Sequence, residues 1–534
     1  MMRVAAIWFA VATSASALAP PPEQNAKPAS ADKPKLKITI SKETTYIAEP
    51  LRPDGYPDYV AAIDRRMSEG VTLENNAAVL LQTAFGPSEI PEGLRADFFR
   101  RLGIAALSET GDYFVSRAEM IKRWRARHPA TTVDDGEDLD EQFNRATKAP
   151  WKPNDYPIIA EWLKINANPL RLIVAASGRP RQFFPLILGP NATLIACHLP
   201  HDTQIREAAV ALAGRAMLSA GARKTSDAWQ DLMACHRLGR LASSGPFLID
   251  TLVGYAVDGI AIDGDAALLH FAKPSRDELV RMRDDLAKLP RFPDLIPTFD
   301  ISERFILLDA IQRVSQEGLG SLAGLAGPSA EHSSSAILNV IGQGVDWDVP
   351  LRMGNEWFDR LAGAARIENR TERQKSLEAF DADLRQLATQ MKDPGSFVRD
   401  FLTKGTPSEL LSPRLGAVFV ALFMPALDAA RKAYDHIELA RQMNQTACAL
   451  AIYRADHGGY PRTLAELVPK YLDKIPEDTF ARDGAAPIHY RREGDAYSMW
   501  TVFLNGIDDN GRGPDDDPPG DDWSLRPVKS GKGK

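Results

Sequence analysis

YRADHGGYPRTLAELVPKYLDKIPED, residues 453–478, is the passage on which the reading of the fold turns. N-terminal to it, from about residue 425 to 456, apolar residues recur at helical spacing. Gly458-Gly459 offers the left-handed residue that ends a helix, and Tyr460-Pro461 keeps it from resuming. Thr463-Leu464-Ala465-Glu466 has the form of a capping box, with Thr463 as N-cap and Glu466 at the third helical position. A short helix to about Tyr471 is predicted. Two strand-like runs follow, 486–492 and 496–504, joined at Glu493-Gly494-Asp495. In the second, Tyr497, Met499, Thr501 and Phe503 alternate with Ser498, Trp500, Val502 and Leu504. Apolar groups on both faces predict a hairpin packed against the long helix.

Upstream, from about residue 55, the text is mainly helical. Helices are predicted at 72–85, 93–107, 116–127, 158–177 with a break at Pro169, 204–220, 225–243, 246–271 and 275–289. AWQDLMACHRLGRLAS (228–243) shows the pattern. Trp229, Leu232, Met233, His236, Leu238 and Leu241 fall at helical spacing, with Asp231, Arg237 and Arg240 mostly opposite. The small-residue loop GLGSLAGLAG (318–327) separates a helix at about 300–315 from later ones. Charges of both signs mix along 355–390, as on a solvated face. No repeat of fixed period is present. The fold class is mainly α: an irregular multi-helix body at 55–410, followed by a small α+β module.

Composition bounds the function. The 534 residues carry a net charge of −7, with no basic stripe of the kind that binds nucleic acid. Three cysteines (Cys197, Cys235, Cys448) cannot build a disulfide scaffold, and at least one is unpaired. The N-terminus, MMRVAAIWFAVATSASALAPPPEQ, has a charged Arg3, a short apolar stretch and small-residue cleavage sites after Ala17 or Ala19. A signal peptide at 1–19 is expected, hence export to the periplasm or exterior, where disulfides are permitted. A Pro-, Ala- and Lys-rich leader occupies 20–54, with one alternating run at 36–40 that predicts a strand. The apolar run 415–427 has 13 residues, short of the ~20 that span a bilayer. It predicts a buried helix, so no transmembrane span is expected in the mature chain.

The order of elements at the C-terminus resembles the type IV pilin-like fold of the type II secretion major pseudopilin. In that family an apolar helix with an internal proline continues as an amphipathic helix, ends in a G-x-YP motif, and is followed by a small sheet and an acidic calcium loop. Here 415–427 with Pro425, the helix 428–457, Gly458-Gly459-Tyr460-Pro461 and DAYSMWTVFLNGIDDNG (495–511) stand in that order. The likeness covers about 110 of the 534 residues and places a pseudopilin-like module at 411–505, with an acidic tail at 506–534. The module is C-terminal, and Asp478-Thr479-Phe480 replaces the usual Asp-Pro, so assembly into a pilus is not implied. As a whole the chain resembles large secreted bacterial proteins that join a helical body to such a tail.

The acidic tail carries the strongest chemical signal. NGIDDNGRGPDDDPPGDD (505–522) holds seven Asp and one Arg between Asp508 and Asp522. Such charges repel unless a cation compensates them, and calcium, which takes six to eight oxygen ligands, suits them. An EF-hand register fails, because Arg512 and Pro519 occupy its fifth and twelfth positions. By the resemblance, Asp508 or Asp509 would be early calcium ligands and Asp521 or Asp522 late ones. A solvated acidic tail is the alternative.

A second set, Cys197, His198, His201, Cys235 and His236, has zinc-type side chains, although Cys235 and His236 point about 100° apart on a helix. C-H-x-x-H is not a zinc-motif spacing, and packed core residues account for the set better. Gly318, Gly320 and Gly324 are spaced wrongly for a dinucleotide loop, and Gly221 to Thr225 lacks the glycine before Lys of a phosphate loop. His332 and the serines after it sit in a loop without nucleophile context, and Asp300 and Glu303 suit helix capping. The reading that follows is an exported, non-catalytic envelope or extracellular protein, interacting with envelope proteins or polymers through a module stabilised by calcium. The alternative is a secreted hydrolase, zinc-dependent, with its site in the helical body.

Overall fold

Runs rich in Ala, Leu, Arg and Glu, with proline confined to helix starts and ends, favour helix over most of the chain. The computed structural model describes residues 36–127, 139–189, 192–321, 344–391, 407–424, 427–481 and 486–525. It has sixteen α-helices among the described residues. The first seven are α1 (Tyr59–Met67), α2 (Ala77–Phe85), α3 (Glu92–Leu102), α4 (Arg117–Arg127), α5 (Leu139–Ala146), α6 (Pro157–Ile165) and α7 (Ala167–Ser177). Then come α8 (Pro200–Gly221), α9 (Thr225–Ala242), α10 (Leu248–Ala267), α11 (Arg276–Lys288) and α12 (Arg304–Glu317). The last four are α13 (Asp348–Ala365), α14 (Arg370–Met391), α15 (Pro407–Phe423) and α16 (Leu427–His457). The expected signal peptide and most of the leader lie outside the described residues, as do His332 to Ser335, Pro425 and the chain after Leu525.

The chain divides into two compact units, each assembled from separate stretches. One comprises the chain to Arg66, Leu188–Cys197 and Asp294–Ala430; the other comprises Met67–Ile187, His198–Pro293 and Arg431–Lys534. In the first unit α12 is buried nearly all round, through Phe305, Leu307, Leu308, Ile311 and Val314. At its start the buried guanidinium of Arg304 bonds Asp300 (2.5 Å), Asp359 (2.7 Å) and the Asn355 side chain (3.1 Å). Asp300 is therefore an ion-pair partner, of Arg304 and of Arg366 (2.5 Å), beyond the capping role expected of it. Segment 36–40 is not a strand. Its Thr39 N–H bonds the Asp348 carboxylate (2.8 Å) and its Lys37 ammonium the Ser315 carbonyl (2.8 Å), so side-chain contacts replace a ladder.

The second unit is built on α8, α9 and α10. Small residues (Ala208, Ala209, Ala211, Ala213, Ala216) line α8, letting its neighbours approach closely. The α9–α10 crossing is closer still. A Cβ on Gly254 would stand 2.4 Å from the Gly239 carbonyl oxygen, so both positions need glycine. With partners on several sides α9 has no solvent face to spare. Asp231 and Arg240, which the spacing assigns to the exposed side, are buried, and Arg237 alone of the three is exposed. The helix expected at 158–177 breaks at Asn166, not Pro169. The Asn166 amide exchanges two hydrogen bonds with the Val115 backbone (2.8 and 3.0 Å), while Pro169 sits in the first turn of α7, where no N–H is needed.

α16 ends at His457, and Gly458 follows at φ +76°, as its sequence demands. Glu466 accepts the Arg462 (2.7 Å) and Thr463 (3.1 Å) N–H groups, but the expected helix is only the 3-10 turn Leu464–Leu467. A two-residue pair, β1 (Glu477–Asp478) with β2 (Ala486–Pro487), precedes a three-stranded antiparallel sheet. Its order is β3 (His489–Glu493), β4 (Ala496–Thr501), β5 (Trp523–Ser524), with Tyr490 opposite Met499 and Thr501 opposite Trp523. His436 of α16 makes edge contacts with the rings of Phe503 (5.0 Å) and Trp523 (4.8 Å), so sheet and helix pack together as the two-sided hairpin requires. Burial of the His436 imidazole holds it down at about 4, a neutral ring within an aromatic seam. No described helix is long and apolar enough to cross a membrane.

Candidate functional site

The four aspartates singled out in the acidic tail all lie in the loop between β4 and β5. Asp508 accepts the Trp500 indole N–H (2.9 Å) and the Asn510 N–H (2.8 Å). Asp509 accepts the Asp521 N–H (2.8 Å), and Asp521 the Asn505 N–H (2.9 Å). Asp522 is buried; one oxygen accepts the Gly511 N–H (2.7 Å) and the other has no hydrogen-bond partner. Backbone bonds from Asp522 to the Arg512 carbonyl (2.9 Å) and from Gly520 to that of Gly513 (3.0 Å) close the loop on itself. Gly511 at φ +79° and Asn510 at φ +59° make the tight turn possible. Burial raises the Asp522 carboxyl, and Asp508 and Asp509 add to it against the Gly511 N–H. These carboxylates fix the backbone first. Three of their oxygens do not lie within 4.8 Å of one another.

The zinc-type set does not assemble either. No disulfide joins the three cysteines, and burial pushes the Cys235 thiol well above its ordinary range. Its S–H points to the Ala209 carbonyl (3.5 Å). His236 and His201 take aspartates as partners, at two separate places in the second unit.

His236, on α9, is fully enclosed. Its Nδ1 lies 2.6 Å from Asp258 Oδ1 and its Nε2 2.9 Å from Asp265 Oδ2, both on α10. The Arg240 guanidinium, one turn along α9, also bonds Asp258, and Asn444 of α16 donates to Asp265 (2.6 Å). Both ring nitrogens face carboxylates, so both carry protons. Burial opposes that charge, but Asp258 and Asp265 outweigh it and push His236 up to about 9. Two cations meet two anions, and no ring nitrogen is left for a metal. This is a charge-balanced clasp holding α9, α10 and α16 in register.

His201 and Asp202 begin α8, and Asp250 stands in the first turn of α10. His201 Nε2 lies 3.4 Å from Asp250 Oδ1 and 3.8 Å from Asp202 Oδ1. The imidazole stacks on Phe184 with ring centroids 4.2 Å apart. Asp250 uses its other oxygen to accept the Phe247 N–H (2.8 Å), and Gly245 lies so close that a Cβ there would meet Asp250 at 2.5 Å. Neither Asp202 oxygen has a hydrogen-bond partner, although the residue is only 6% exposed. Burial, with the Asp250 charge beside it, holds the Asp202 carboxyl well above its usual range. A cavity of about 10 Å³ adjoins His201, lined also by Phe184, Leu186, Leu199 and Gln182, whose buried side-chain carbonyl is unpartnered too. Among the described residues this is the one place where three His, Cys, Asp or Glu ligand atoms lie within 4.8 Å of one another.

The sequence reading reached His201 and His236 but not their aspartates. One signal was present: residues 248–267 carry four Asp (Asp250, Asp258, Asp263, Asp265) and no Lys or Arg in an otherwise apolar helix. Three of the four, Asp250, Asp258 and Asp265, are buried and must find partners, while Asp263 is exposed. No protein-family model, curated protein or solved structure matches the chain.

Proposed function

We propose that this is an exported, non-catalytic interaction or structural protein of the cell envelope or exterior, whose C-terminal pseudopilin-like module is closed by calcium. Asp508, Asp509, Asp521 and Asp522 are its ligands, and envelope proteins or polymers are its partners. The observation that carries the reading is Asp522, a buried carboxylate with one oxygen that accepts no hydrogen bond from a described donor, in the loop that also holds Asp508, Asp509 and Asp521. A hard cation taking that oxygen and neighbouring carboxylates would relieve their mutual repulsion. It would also tie β5 to β4, completing the surface that the module presents. The order helix, Gly-Gly-Tyr-Pro turn, hairpin and acidic loop is the second support.

The test is thermal melting of the full chain with calcium against chelator. Calcium at one hundred times its dissociation constant stabilises by about 2.7 kcal/mol. Wild type is expected to melt at higher temperature with calcium, and Asp522→Asn to lose that gain. An unchanged melting curve rejects the reading.

A further inference from the structure

The second unit holds two buried His–Asp–Asp sets, and the difference between them is informative. Around His236 the charges balance: Arg240 joins the ring, and each ring nitrogen has a carboxylate at hydrogen-bonding distance. Around His201, among the described residues, no Lys or Arg pairs with either aspartate. Neither oxygen of Asp202, a residue 94% enclosed, accepts a hydrogen bond from a described donor, and the group it faces is another carboxylate, Asp250. Two facing buried carboxylates call for a shared positive charge, a proton or a metal ion. We propose that His201 Nε2, Asp202 and Asp250 are the ligands of one divalent transition-metal ion, with the Gln182 side-chain carbonyl or a water completing its shell.

The spacing fits. Ligands at 2.0–2.2 Å from a tetrahedral ion stand about 3.3–3.6 Å apart. The two distances from His201 Nε2, 3.4 and 3.8 Å, are already close to that edge, so the ion enters with small side-chain shifts. One imidazole with two carboxylates suits zinc or manganese; calcium, which prefers an all-oxygen shell, suits the acidic loop instead. The supporting groups are in place around it. Asp250 is oriented by the Phe247 N–H, and the His201 ring is fixed against Phe184. The adjoining cavity of about 10 Å³ has room for one water and none for a substrate. The ion is therefore a structural one, pinning the start of α8 to the start of α10, and the site goes beyond the calcium-dependent role proposed above.

The test uses the full chain, stripped with chelator and titrated with zinc in excess calcium, so that the acidic loop is occupied. One zinc per chain is expected, measured by elemental analysis after gel filtration, with a rise in melting temperature. Cobalt in place of zinc gives visible absorption. Asp202→Asn keeps the side-chain shape, removes an unfavourable buried charge and is expected to fold, yet to bind zinc at least 100-fold more weakly. His201→Gln provides a second variant, in which the cobalt absorption disappears. Wild type that binds no zinc, or variants that bind it as well as wild type, overturns the proposal. So does a pair of carboxylates that merely shares a proton: its melting temperature would then depend on pH and not on zinc.

Discussion

Replacing His236 with glutamine should remove a pH dependence that few other groups can produce. In the folded chain the imidazolium is held between Asp258 and Asp265, and its pKa rises from an ordinary 6.5 to about 9. The folded state therefore keeps a proton that the unfolded state gives up over that interval. Stabilisation from this proton is complete below pH ~6.5 and is lost as pH rises towards 9, by about 1.4 kcal/mol per pH unit. The total is about 3 kcal/mol, on the scale of a broken buried ion pair. Asp258 does not blur the window. Its own pKa is lowered, because Arg240 and His236 outweigh its burial, so its contribution is lost only at acid pH. The assay is urea unfolding at pH 6, 7.5 and 9, following a signal from the second unit. Wild type should lose about 3 kcal/mol across the series, while His236→Gln starts lower by a similar amount and changes much less. Parallel slopes for the two proteins would show that His236 is not the proton carrier, and would refute the charge-balanced clasp.

Two other predictions follow from packing. Gly239→Ala places a methyl group 2.8 Å from the Gly254 carbonyl oxygen at the α9–α10 crossing and should cost about 1–3 kcal/mol, read as a lower urea midpoint at unchanged slope. Native protein treated with a thiol reagent should label Cys197 well before Cys235 and Cys448, which are fully buried and whose thiols burial pushes up; all three should react once urea unfolds the chain.

Helices were legible where their apolar spacing is a local property of the chain. Periodicity places a helix at 225–243, and α9 runs Thr225–Ala242; the end of α16 is marked by Gly458 as expected. Spacing fails where tertiary contact overrides it. Asp231 and Arg240 lie opposite the apolar stripe, yet neighbouring helices cover that side of α9 as well. Segment 36–40 alternates like a strand, but its Lys37 and Thr39 amides bond the side chains of Tyr56 and Asp348. The partners of His236 lie 22 and 29 residues away on another helix, a distance no local pattern encodes. In the acidic loop the residue types were legible and their first use was not: Asp509, Asp521 and Asp522 accept N–H bonds from one another's neighbourhood before any ion arrives.

Hydrogen exchange of the full chain, read by mass spectrometry with calcium and with chelator, addresses the central claim most directly. The account predicts that calcium slows exchange of the amides between Gly506 and Trp523, those of Gly511 and Asp521 foremost, and that Asp522→Asn abolishes the effect. Exchange in that loop identical with and without calcium would contradict it.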